Sequence, residues 1–243
     1  MVDIISGIAE AGRLIITGDP TLYGIVFRSL FFSGVAVILA TLWGTPIAML
    51  ICSREFRGKT MVKSFFNSLI GIPTVVLGLV LFLVLSKGGP LGFLGLLYTP
   101  AAIIFGQTVL VTPILISIMV TAIEAVDTDI MRLAKTLGAS ELQASLAVLK
   151  EAINGVLLSN VASFNRAIAE LGVAIIVGGN IAGLTDVLTT SISRYTQTNE
   201  LALAIALGIL LMAIVFVVNM IVITFQKVKT SPTLWRSPTL RSI

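Results

Sequence analysis

Apolar residues in this chain gather into five long runs, at 29–52, 65–86, 101–123, 153–178 and 201–225, separated by shorter and more polar stretches. A helix needs about 20 residues to cross a hydrocarbon core of about 30 Å, so each run predicts one membrane-spanning helix. The connections are short except at 124–152. There Ile130, Leu133 and Leu137, then Leu142, Leu146 and Leu149, recur at helical intervals on either side of Gly138, with Asp127 and Asp129 near the first start. This pattern predicts two short amphipathic helices joined at Gly138-Ala139-Ser140, with Ser140 the N-cap of the second. Ahead of the first run, Ile4, Ile5, Ile8, Leu14 and Ile15 predict a helix over 1–22 lying on the membrane surface. The stretch 180–199, rich in Thr and Ser, connects runs four and five, and a tail with Pro232 and Pro238 follows from 227. The expected fold is all-α: a polytopic membrane protein of about five transmembrane helices in a single domain over 1–243.

Composition agrees. Of 243 residues, 56% are hydrophobic and 12% charged, with a mean hydropathy of +1.05, against about 45–50% and about 25% in soluble domains. Histidine is absent and Cys52 is the single cysteine. An intrachain disulfide is therefore impossible, and a zinc site or a Cys/His nucleophile is excluded; no metal or cofactor is expected. Residues 1–19 lack the charged start, compact apolar core and cleavage site of a signal peptide. Pro46, Pro73 and Pro113 fall inside runs, where they kink helices.

The pI near 9.5 points to topology, not to nucleic acid. With the N-terminus outside, the inner segments hold Arg54, Arg57, Lys59, Lys63, Arg132, Lys135, Lys150, Lys227, Lys229, Arg236 and Arg241. The outer ones hold only Arg13, Arg28, Lys87 and Arg194. This bias follows the positive-inside rule and puts the loop 124–152 and the C-terminus in the cytoplasm. No internal repeat is visible, which counts against a carrier built of inverted halves.

Run four carries Arg166 and Glu170. At about 100° per residue, Ser159, Ser163, Arg166 and Glu170 share one helical stripe, and Val173, Ala174 and Val177 would continue that face without polarity. An Arg or an acid at a helix centre costs about 2.5–3.5 kcal/mol, and each large aliphatic residue returns about 0.3–0.6. The apolar residues of the run only about balance the pair, so the stripe has to meet another helix, a second copy of the chain or a water-filled path. Arg166 and Glu170 are one turn apart and can pair. Two readings stand: a buried ion pair that fixes helix packing, or a gate in a transport path in which Arg166 attracts an anion and Glu170 prevents its trapping.

The loop sequence RLAKTLGASELQASLAVLKEA, 132–152, resembles the EAA loop of binding-protein-dependent ABC importer permeases, matched at Ala134, Leu137, Gly138, Ala139 and Ser140, with Arg132 where the family usually has Glu. NRAIAELG, 165–172, is similar to the signature of the oxyanion importer permeases, matched at Arg166, Ala167, Glu170 and Gly172. The stretches 71–100 and 177–192 are similar to the tungstate-type permease. The resemblance implies a type I ABC importer permease fold and a homodimer. Two cytoplasmic ATP-binding subunits would dock on the loop at Ala134, Leu137, Gly138, Ala139 and Ser140, and an extracellular or periplasmic binding protein would deliver the oxyanion. It further implies that Ser163, Arg166 and Glu170 lie beside the translocation path. The chain itself lacks a phosphate-binding Gly-rich Lys-Ser/Thr loop, so ATP binds elsewhere. Rivals are a molybdate or sulfate permease of the same architecture, a proton-coupled secondary carrier titrating Glu170, and, with least support, an intramembrane enzyme. An amphipathic helix pair resting on the membrane is the alternative for the loop.

Overall fold

The computed structural model describes residues 4–53 and 56–229, so Arg54, Arg236, Arg241, Pro232 and Pro238 lie outside the described residues. The described residues form helices without strands: α1 (Ile4–Thr17), α2 (Pro20–Ser53), α3 (Lys59–Leu69), α4 (Thr74–Leu85), α5 (Pro100–Glu124), α6 (Thr128–Thr136), α7 (Glu141–Glu151), α8 (Ile153–Ile168), α9 (Gly172–Gly178), α10 (Leu188–Gln197) and α11 (Leu201–Lys229). α2, α5 and α11 are each long and apolar enough to cross a membrane alone. The pairs α3–α4 and α8–α9 qualify only jointly, bent by 97° and 58° at short breaks.

These breaks and starts correct the run-by-run reading. The first span begins at Pro20, because Asp19 Oδ1 accepts the Leu22 N–H at 2.9 Å and proline suits the first helical position. Arg28 ended the apolar run in the sequence but sits within the helix. At 34 residues, α2 rises about 50 Å and outreaches the hydrocarbon core. Run two bends at Gly71-Ile72-Pro73, where proline removes a backbone donor and disfavours helix at the residue before it. Pro46 and Pro113 lie inside α2 and α5. The connection 180–199 contains a helix of its own, α10.

α5 is the central element, packing against α2, α3, α4, α8 and α9. Val111, Leu115, Ile116, Met119 and Val120 of α5 form one core with Val37, Ala40 and Ala48 of α2, Val148 of α7 and Ala167 of α8. A second core joins Ala11 of α1, Leu22 and Ile25 of α2, Ile168, Leu188, and Ala206 and Leu207 of α11. The N-terminal helix thus lays Ala11, Leu14 and Ile15 against α11 while Ile8 and Ile16 stay exposed. Exposed Phe27, Leu42, Leu83, Met212 and Phe216 give the bundle the outer apolar surface that lipid requires.

Two helix contacts depend on glycine. A Cβ at Gly155 of α8 would lie 2.1 Å from the Ala122 Cβ of α5, and one at Gly172 would lie 2.8 Å from Thr74 Oγ1 of α4. Gly155→Leu is expected to force α8 from α5 and destabilise the bundle by about 1–3 kcal/mol, the usual range for overpacking. Gly208→Ala, with nothing within 4 Å of its Cβ, serves as the control that is not destabilised, since alanine is favoured over glycine inside a helix. Thermal unfolding of the purified protein in detergent measures both, and an unchanged melting temperature for Gly155→Leu would contradict the close approach.

Candidate functional site

The polar centre of the molecule is the break between α8 and α9. α8 ends at Ile168, so Glu170 does not continue the stripe of Ser159, Ser163 and Arg166; it stands in the break, and α9 departs at 58°. The break has no proline. Glu170 itself starts the new helix: its Oε1 accepts the Val173 N–H at 3.0 Å, while Oε2 accepts from Arg166 Nη1 at 2.7 Å. A carboxylate at a helix N-terminus is also favoured by the helix dipole. Glu170 is 2% exposed, whereas Arg166 keeps 35% of its side chain accessible.

The backbone opened by the break is satisfied from neighbouring helices. Gln107 Nε2 of α5 donates to the Ala167 carbonyl at 3.0 Å, and Thr189 Oγ1 of α10 donates to the Glu170 carbonyl at 2.6 Å. Such pairing is obligatory where no water can substitute. Ser159 Oγ bonds locally to the Val156 carbonyl, and buried Ser163 Oγ has no hydrogen-bond partner among the described residues. Beyond α9, Gly179 adopts φ 72 as C-cap, and Thr185 Oγ1 donates to the Gly178 carbonyl at 2.7 Å. The hydroxyls of this region therefore mostly close backbone groups.

The second feature is the α6–α7 pair. Ala139 N–H donates to the Ala134 carbonyl and Gly138 N–H to the Lys135 carbonyl, both at 3.0 Å, with Gly138 at φ 85. This is the Schellman pattern with a left-handed glycine. Ser140 then opens α7 with a reciprocal capping box to Gln143. The spacing from Ala134 to Ser140 is thus the sequence of one tight turn. Around it Leu133, Leu137 and Leu142 are 62%, 79% and 67% exposed.

The two helices are held unequally. α7 buries Ala144 and Val148, and Ser145 hydrogen-bonds Ser53 of α2 at 3.1 Å. No described side chain of α6 is buried. Between α6 and the ends of α2 and α5 lies a cavity of about 530 Å³, bounded by Met49, Cys52, Glu124, Met131, Lys135 and Val148 among others. Glu124, at its edge, pairs with Lys63 at 2.5 Å and Lys59 at 3.5 Å. The turn and the break are not adjacent. They are joined by chain: only Ala152 separates α7 from α8, and α8 ends at the break.

Several partners were not foreseen from the sequence. Gln107 closes the break from α5. Thr41 donates to Asn160, Asn165 donates to Asn219 at 3.0 Å, and Arg28 of α2 pairs with Asp186 at 2.7 Å. For the amides the available signal was their place in apolar runs, Gln107 and Asn219 each alone in its run and Asn160 and Asn165 both in the fourth, since a polar side chain in a span finds a partner on another helix.

The chain is thus a bundle of long apolar helices and bent pairs, with an exposed helix pair and a charged break within it. Residues 36–227 match the family described as binding-protein-dependent transport system inner membrane component, and the chain belongs to that family. It is a non-catalytic, multi-pass permease subunit that works with an ATPase and a substrate-binding protein. It is 37% identical over 224 residues to the tungstate uptake system permease protein TupB of Peptoclostridium acidaminophilum, covering 92% of this chain and 98% of that one. To TupB of Campylobacter jejuni it is 36% identical over 219 residues, covering 90% and 91%. In fold it resembles the inward-facing MetNI methionine ABC transporter, with a TM-score of 0.68 at 16% identity over 86% of this chain and 98% of that one. The fold is that of type I ABC importer permeases.

Arg166→Met is expected to destabilise the protein more than Glu170→Gln, by about 2 kcal/mol, because the first strands a buried carboxylate while the second keeps an acceptor for Val173 N–H. Comparing the two melting temperatures checks it; the reverse order would mean that the Arg166 contact contributes little to holding the break.

Proposed function

We propose that this chain is the permease subunit of an ATP-driven tungstate importer, acting as a homodimer with two ATPase subunits and an external oxyanion-binding protein. The observation that carries the reading is the exposed α6–α7 pair continuing through Ala152 into the helix that ends at Arg166 and Glu170. Tungstate is drawn from relatives matched over about nine-tenths of the chain. Molybdate and sulfate share its shape and charge and remain the alternatives within the class.

In this reading the loop 124–152 and the C-terminus are cytoplasmic and the N-terminus is outside. The ATPase grips the turn Ala134, Leu137, Gly138, Ala139 and Ser140. Drawing the two copies together on ATP binding moves α7, which is pinned to α2 and continuous with α8, and so displaces the break. Ser163, Arg166 and Glu170 form the gate at the path: Arg166, partly accessible, attracts the dianion, and Glu170 competes for the same guanidinium and favours release. A carrier titrating Glu170 would leave the exposed helix pair without a use.

Reconstitution of the chain with its ATPase and binding protein in liposomes tests the assignment. Uptake of tungstate is expected to require ATP and both partners, with molybdate and sulfate weaker competitors; uptake that follows a proton gradient without the ATPase would overturn it. Gly138→Val has open space for its side chain but forces a β-branched residue to positive φ at a cost of about 1–2 kcal/mol. It is expected to leave the protein in the membrane and abolish stimulation of hydrolysis by the loaded binding protein. Undiminished stimulation would remove the turn from the coupling path.

A further inference from the structure

A second buried ion pair lies outside the site above. Arg28 Nη2 meets Asp186 Oδ1 at 2.7 Å, the two side chains being 21% and 2% exposed. Arg28 Nε also donates to the Asp186 carbonyl at 3.2 Å, and Asp186 Oδ1 accepts the Gly183 N–H at 2.9 Å. The adjoining Ser29 accepts the Leu188 N–H on its Oγ at 2.7 Å. Two consecutive residues of α2 thus clamp the chain at Asp186 and Leu188. Val187, between them, packs with Phe32, Ile103 and Ala174.

One residue after this clamp comes Thr189, whose hydroxyl holds the Glu170 carbonyl at 2.6 Å. The intervening turn has little freedom, because Thr190 Oγ1 accepts the Val187 N–H at 3.0 Å and Ser191 N–H donates to the Val187 carbonyl at 2.8 Å. The Arg28–Asp186 pair and the Arg166–Glu170 pair are therefore the two ends of one short chain of bonds running through the first turn of α10. Ahead of the clamp, Ile181 and Leu184 are 42% and 45% exposed, so the segment that the clamp holds is accessible from outside the bundle.

From this we infer that Arg28 and Asp186 are positioning residues of the transport step: through Thr189 they set the place of Glu170 and so the geometry of its pair with Arg166. A push on the segment 181–184 is felt at the break without any direct contact there. The inference deepens the permease reading and rests on it for the transport measurements alone.

The test uses the full complex in liposomes, with Asp186→Asn, Thr189→Val and the double variant. Two quantities are read: tungstate moved per ATP hydrolysed, and the line shape of a nitroxide at Leu171→Cys in a Cys52→Ser background, Leu171 being an exposed residue of the break. Each single variant is expected to lower the transport ratio about tenfold and to change the line shape in the same sense. The double variant is expected to be no worse than either single one, because links in series fail once. A double effect that multiplies, an unchanged line shape, or a lower melting temperature with an unchanged ratio overturns the inference. Should Asp186→Asn fail to assemble, Arg28→Lys keeps the charge, lacks the Nε donor to the Asp186 carbonyl, and is read by the same two measures. A wild-type complex that moves no tungstate would fail the transport reading, and the line shapes would still decide the link.

Discussion

The structure depends on the placement of one carboxylate. A buried acid in a membrane bundle is tolerated only when both of its oxygens are engaged and its charge is met, and Glu170 achieves this by interrupting its own helix. One oxygen closes the backbone of α9, and the other meets Arg166. Because the interruption frees carbonyls as well, Gln107 and Thr189 have to reach in from α5 and α10. Central packing of α5, the bend of span four and the position of α10 are therefore parts of one solution to a solvation problem.

That solution shows why the two readings of the Arg166–Glu170 pair are not exclusive. As a packing device, the pair reaches from the last turn of α8 into the break and caps α9, and it holds no helix outside span four directly. Its grip on the rest of the bundle runs through main-chain carbonyls. As a charged element, it is asymmetric: the acid is enclosed and the cation is partly accessible. An anion arriving at such a pair meets the guanidinium first. On the proposed reading, the enclosed member supplies order and the accessible member supplies chemistry.

The helix pair, its turn and the Ser140 cap were legible in the sequence, since periodicity and capping residues act over a few positions, whereas the five runs became three single helices and two bent pairs. Arg166 and Glu170 were legible as a pair one turn apart. What hydropathy could not give was their geometry: a continuous run such as 153–178 carries no mark of a 58° bend when the breaker is a glutamate side chain rather than proline. Arg28 was read as the outer flank of a span because its partner Asp186 lies 158 residues away. Gln107 was hidden in the same manner, one amide in an apolar run whose acceptor belongs to a kink that sequence alone did not reveal.

The cavity of about 530 Å³ beside α6 lies under a helix pair whose two arms are held unequally. α7 is anchored by buried side chains and runs on into α8, whereas α6 rests on the core through the half-buried Ile130 and Met131 alone among its large apolar side chains. On the proposed reading, strain applied at the turn travels along α7 into α8. On the same reading, a reversal of charge at exposed Arg132 of α6 bears on the fit to the ATPase surface more than on the motion passed through α7 to α8.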